Sequence, residues 1–231
     1  MTDISSWGYY HKLNPNGNRY PSNLLYTPRI NPEQTIMCAH YCIDADYRPE
    51  ETVIVAEDLI EWFFNRDAKF LKQLSHLTTT PILYDVDYNH RKIFMEWNKE
   101  TLSQVLYTPG RDLDTEVPTW KKQMKDFFIS TKANNFWKTS LYPNCFFISK
   151  DGQLKTIDHY AVIPYEERFI ERKIIEGIIG KDGSYRFDQS TDEKGFIDFK
   201  KFFEITVTKH LQGKGWGNTV FADIFKEIYN D

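Results

Sequence analysis

Asn144 and Asp158 are the two side chains in this chain whose types and spacing most directly suggest chemistry. They bracket two short apolar runs, residues 145–150 and 153–157, with Asp151-Gly152 between them. An Asp-Gly pair in that setting signals a β-hairpin, because a two-residue type I′ turn requires positive φ at both central positions. Counting outward from such a turn pairs Lys150 with Gln153, Ile148 with Lys155 and Cys145 with Asp158. Asn144 and Asp158 are then expected together at the open end of the hairpin. A carboxamide beside a carboxylate offers hard oxygen ligands suited to Mg²⁺. Such a pair can hold the metal ions of a nucleoside triphosphate.

A second chemically loaded position is Asp67. Residues 55–77 have helical periodicity, and Leu59, Phe63, Phe70, Leu71, Leu74 and Leu77 fall within one arc of roughly 120°. Asp67 lies in the middle of that arc. An unpaired carboxylate on a buried face is costly, so Asp67 requires a partner. That partner is either a structural one, a backbone group or an arginine, or a member of a functional site.

The elements that must position these residues follow from the pattern along the chain. Residues 1–34 are rich in Asn, Pro, Gly and Tyr and show no periodicity. Residues 35–43 read as a strand, and 81–88 and 92–97 as two more, joined by Asn89-His90-Arg91. Residues 101–107 read as a short helix, 108–118 as a surface loop and 120–133 as a helix with Met124, Phe127 and Phe128 inward. After the hairpin, helical patterns are expected at 165–179, 197–211 and 221–229. The resulting class is α+β, with a sheet-rich N-terminal part and a mainly helical C-terminal part.

In this order of parts the chain resembles a divergent member of the protein-kinase-like superfamily, over roughly residues 35–179. Tyr142-Pro-Asn144 through Ile157-Asp158 resembles the catalytic loop, hairpin and metal-binding Asp of those enzymes. Asn65-Arg-Asp67 resembles the helix whose Glu pairs with a nucleotide-binding Lys. Ile93-Phe-Met95-Glu96-Trp97 resembles the strand and hinge that meet the adenine. The resemblance implies a two-lobed fold, with an N-terminal lobe of residues 1–97 and a C-terminal lobe of residues 98–231 carrying the 145–158 hairpin. It implies Asn144 and Asp158 as Mg²⁺ ligands, Met95, Glu96 and Trp97 at the adenine site, and His40 with Asp67 as a substituted Lys–Glu pair.

The departures from that pattern are equally specific. Five residues before Asn144, where the family keeps its catalytic Asp, stands Thr139, followed by Ser140. Neither hydroxyl is a general base at neutral pH, and loss of a positioned base typically costs ~10²–10⁴ in rate. The strand lysine is missing, with His40 its nearest match. No glycine-rich loop precedes that strand, and the family's Asp-Phe-Gly reads Asp158-His159-Tyr160. The expected function is therefore binding of ATP with Mg²⁺ and weak or atypical phosphotransfer to an unknown small-molecule or protein acceptor. The alternative is a catalytically inactive, pseudokinase-like interaction module. A cleft filled by aromatic side chains of the Tyr-rich N-terminus would distinguish the second.

Composition bounds the remaining classes. The chain has 231 residues, 16% aromatic content and a net charge of -4, which does not favour nucleic acid or an anionic membrane as partner. No apolar run approaches a membrane span. The odd count of three cysteines suggests reduced thiols in a cytoplasmic protein. Ser190 to Lys201 resembles a calcium loop but puts Lys194 and Lys201 at ligand positions, so it reads as a turn before a helix. Cys38, His40 and Cys42 alternate onto one strand face without a nearby fourth ligand, which favours a core strand over a metal site.

Overall fold

The computed structural model describes residues 2–10, 27–42, 57–134, 136–138, 141, 143–157, 162–164, 169–171, 191–198, 201 and 220–229, and structural statements refer to these. Thr139, Ser140 and Asp158 lie outside them.

The N-terminal part is a five-stranded antiparallel sheet. Its strands are β1 (Gly8–Tyr9), β2 (Thr27–Ile30), β3 (Ile36–His40), β4 (Leu83–Asp87) and β5 (Lys92–Glu96), in the order β1-β2-β3-β5-β4. Helix α1 (Glu57–Gln73) intervenes in sequence between β3 and β4. Strand alternation gives the sheet two different faces. Met37 and Ala39 of β3, with Ile93 and Met95 of β5, join Phe63, Phe70, Leu71 and Leu74 of α1 in the main core. The opposite face carries Cys38 and Phe94, covered by Ile4 and Trp7.

Beyond β5 come α2 (Leu102–Tyr107), α3 (Leu113–Glu116) and α4 (Trp120–Ala133). The backbone N–H of Thr101 donates to the Gln104 side chain at 2.7 Å, and Asp112 accepts from Thr115 N at 3.0 Å, so side chains satisfy groups at the starts of α2 and α3. Helix α5 (Ala222–Tyr229) packs on α4, where Phe128 meets Phe225 edge-on at 5.0 Å. Three two-stranded pairs complete the described structure. They are β6 (Phe136–Lys138) with β9 (Val162–Pro164), β7 (Phe146–Ile148) with β8 (Leu154–Thr156), and β10 (Phe169–Glu171) with β11 (Phe196–Asp198). The main core is continuous from Ile30 and Met37 through α1 and Trp97 to Phe225 and Ile228.

This mixed architecture of one antiparallel sheet and several helices agrees with the α+β expectation. Locally it differs in three places. The stretch 165–179, expected as helix, contains strand β10 at 169–171, and its other residues lie outside the described ones. The stretch from 197, also expected as helix, starts inside β11; Lys201 is helical, and 199–200 and 202–211 lie outside the described residues. These triplets, Phe-Ile-Glu and Phe-Ile-Asp, pair across a long sequence separation, with Ile170 opposite Ile197. Backbone pairing between segments far apart in sequence decides such strands, and local periodicity does not register it. The loop 108–118 contains the short helix α3, nucleated by the Asp112 cap. Among the described residues no helix is long and apolar enough to cross a membrane.

Candidate functional site at the sheet–hairpin junction

The β7–β8 hairpin forms, with its register one residue away from the expected one. Phe146 pairs with Thr156, Phe147 with Lys155 and Ile148 with Leu154. The loop is therefore a three-residue one, Lys150-Asp151-Gly152, closed by Ser149 N to Gln153 O at 2.8 Å. Gly152 has φ of +73°, the left-handed residue with which such loops end. Ser149 decides between the two turns. Its hydroxyl donates to Asp151 Oδ1 at 2.5 Å and accepts from Gln153 N at 3.0 Å, bonds that hold the longer loop. The Ser149 bond also holds the Asp151 carboxyl below its ordinary value.

At the other end of the hairpin, Ile157 N donates to Cys145 O at 2.8 Å. Asn144 sits in a 3₁₀ turn (Pro143–Cys145) immediately before this rung and is partly exposed. Its backbone carbonyl accepts from the Tyr10 hydroxyl at 3.4 Å. Tyr10 is itself buried and meets Trp97 edge-on, with ring centroids 6.3 Å apart. An aromatic side chain from the N-terminal segment thus lies between the end of β5 and the turn that carries Asn144.

The hairpin is joined to the sheet part by several bonds. Thr156 N donates to Thr79 O at 2.8 Å, and Lys155 Nζ to Thr80 O at 3.2 Å. Lys155 also pairs with Glu96 at 3.5 Å. Asn98 Nδ2 reaches Ile148 O at 2.6 Å, and Ile148 N donates to Glu100 O at 2.8 Å. Of the residues expected at an adenine site, Met95 is buried in the main core and Glu96 is engaged with Lys155 and Ile82 N. Trp97 is buried against Tyr10.

Asp67 is fully buried on α1, as its place in the apolar arc predicts. Its described hydrogen-bond partners are Tyr41 and Arg66, where the kinase-like resemblance implies His40. The Tyr41 hydroxyl donates to Oδ2 at 2.5 Å, and Arg66 donates to Oδ1 through Nε at 2.9 Å and Nη2 at 2.7 Å. Strand alternation sets which side chains of β3 face α1. Ala39 and Tyr41 belong to the face turned to α1, whereas His40 shares the opposite face with Cys38. His40 instead places Nδ1 3.3 Å from Cys42 Sγ. Burial raises the Asp67 carboxyl above its ordinary value, against the opposing effects of Arg66, the Tyr41 bond and Lys138. The Arg66 guanidinium stacks on Phe63 and Trp62, with its carbon 4.5 and 4.8 Å from the ring centroids.

Lys138 is a site residue that the sequence reading missed. It lies on β6, six residues before Asn144, and is almost fully buried. Its ammonium donates to Ile157 O at 2.7 Å, lies 5.9 Å from the Phe146 ring centroid and acts electrostatically on Asp67. Lys138 therefore links the mouth of the hairpin to the carboxylate of α1. The available signal was its period-two spacing from the inward Phe136, since a lysine at i+2 of a buried aromatic shares its face. Among the described residues no group of three or more His, Cys, Asp or Glu side chains gathers into a metal-binding cluster.

No protein-family model and no curated protein sequence matches the chain. Among solved structures, that of monomeric WbdD is similar at 11% identity and a TM-score of 0.49, over 96% of this chain and 48% of that one. The chain thus spans about half the length of that protein.

Proposed function

We propose that this chain is a kinase-like domain that acts by binding a partner protein and not by phosphoryl transfer. The observation that carries this reading is the buried Tyr41–Asp67 hydrogen bond. In the kinase-like pattern the strand beside the helix presents a lysine whose charge is shared between the helix carboxylate and the phosphates. Here the strand of a β1-β2-β3-β5-β4 sheet meets the helix carboxylate through a neutral phenol, and Arg66 on the helix itself supplies the compensating charge. Tyr10, set between Trp97 and the Asn144 carbonyl, supports the same reading, because it brings aromatic bulk to where an adenine is expected.

The magnitudes agree with binding over turnover. A missing base costs ~10²–10⁴ in rate, and a missing charge-stabilising donor ~10²–10³. Set against typical kinase turnover of 1–100 s⁻¹, these bring the rate to about 10⁻² s⁻¹ or far below. Single-turnover assays with radiolabelled ATP and Mg²⁺ test this directly. No transfer or hydrolysis faster than about 10⁻² s⁻¹ is expected, and turnover in the ordinary kinase range overturns the proposal.

A second reading, nucleotide binding with Mg²⁺, is favoured by the hairpin mouth. Asn144 immediately precedes the Cys145–Ile157 rung, and Asp158 follows Ile157 in sequence. The Asn144 carboxamide, whose Oδ1 has one contact among the described residues, the Cys145 thiol at 3.9 Å, is a hard oxygen donor that fits Mg²⁺. Asn144 and Asp158 would hold the ion, and the ion would supply charge neutralisation at bound phosphates. A thermal-shift titration with ATP and Mg²⁺ tests it. A metal-dependent rise that Asn144→Ala abolishes supports nucleotide binding, whereas no shift in the parent excludes it.

A further inference from the structure

His40 and Cys42 are left unused by either reading. His40 ends β3 and Cys42 lies two residues beyond it, and His40 Nδ1 lies 3.3 Å from Cys42 Sγ. Both are partly exposed, whereas Cys38 and Cys145 are buried. We propose that Cys42 and His40 form a reactive thiol–imidazole pair, a site of covalent modification by low-molecular-weight disulfides.

The adjacent imidazole, 3.3 Å from the sulfur, is placed to accept the thiol proton. Cys38 lies two residues back on the same strand face, opposite Arg29 of β2. Lys92 of β5 lies opposite His40, and Asp87 of β4 opposite Lys92. An adjacent base or cation is what converts a thiol into a nucleophile. Cys38 supplies the contrast within the same strand. It feels the same charges, yet burial pushes its thiol up to about 12.

The exchange step balances as follows. His40 accepts the Cys42 proton, and the Cys42 sulfur attacks one sulfur of the small disulfide. A new S–S bond forms as the old one breaks, and the departing thiolate takes the proton from the imidazolium. Cys42 is oxidised to a mixed disulfide, and the second half of the reagent is reduced to a thiol.

The test is the pH dependence of Cys42 modification in the full chain, measured with iodoacetamide and then with glutathione disulfide and assigned by peptide mass spectrometry. Cys42 should react before Cys38 and Cys145, with a midpoint well below the ~8.5 of an ordinary thiol. A midpoint lowered to about 7, after allowance for the weaker nucleophilicity of a more acidic thiol, makes it roughly 6-fold faster than an ordinary thiol at about pH 6. His40→Gln should remove that advantage and restore the ordinary midpoint, with the circular dichroism spectrum unchanged. An ordinary midpoint in the parent, or earlier modification of Cys38 or Cys145, overturns the proposal. If His40→Gln fails to fold, the parent profile decides alone.

Discussion

Replacing Tyr41 by Phe removes one oxygen and little else, which makes it the sharpest probe of the junction between β3 and α1. In the parent, Tyr41 and Asp67 are both buried, and Oδ2 receives the tyrosine hydroxyl while Oδ1 receives Arg66. The variant leaves Oδ2 without that donor and without water to replace it. A hydrogen bond to a charged group is worth ~1.5–3 kcal/mol, so a loss of about 2 kcal/mol is expected where Asp67 is ionised. For a chain of this size that is a fall in Tm of roughly 4–8 °C. The pH dependence carries a sign that can be checked. Burial raises the folded-state Asp67 carboxyl. Its contribution to stability is therefore full below the ordinary carboxylate range and is lost as pH rises through the folded-state value. The Tyr41 bond opposes this by favouring the charged form. Its removal should then cost most above the folded-state value and less in acid, where a neutral carboxyl loses only a neutral bond. Thermal unfolding of parent and variant between about pH 4 and about pH 9 measures the difference. A fall under about 1 °C, or an equal fall at both ends of the range, would refute the assignment of Tyr41 as the partner of Asp67.

Lys138→Met retains most of the buried stem but removes the bond to Ile157 O, and should cost ~1.5–3 kcal/mol in chemical denaturation at neutral pH. A neutral result would place the ammonium outside the hairpin mouth. Gly152→Ala meets only ordinary contact, Glu116 O at 3.8 Å, so its expected cost is the left-handed backbone alone, about 1–2 kcal/mol. Gly152→Asn should cost less, and equal losses for the two would speak against a left-handed position. Tyr41→Lys restores a cation opposite Asp67 and should make the ATP- and Mg²⁺-dependent thermal shift larger than in the parent. A shift no larger in the variant would separate this contact from any phosphate site.

What local pattern decides was legible in the chain. The apolar arc of α1, its inward Asp67, the α4 helix from Trp120 and the hairpin following Asn144 all depend on contacts within a few residues, where periodicity and turn chemistry act. Even there, one hydroxyl escaped notice. Ser149 binds both Asp151 and Gln153 and turns a two-residue loop into a three-residue one, shifting every pair of β7 and β8 by one. The same single-residue sensitivity governs β3. His40 and Tyr41 are adjacent in sequence and face opposite ways, so only the pairing of β3 between β2 and β5 determines which of them meets Asp67. Strands β10 and β11, and the reach of Lys138 to Ile157, join residues far apart in the chain and have no local signature. The sequence by itself determined that the apolar arc of α1 and its Asp67 had to be buried and that the chain had to turn near Asp151-Gly152. The tertiary structure decided their partners, because a side-chain period of two converts a shift of one residue into a change of face.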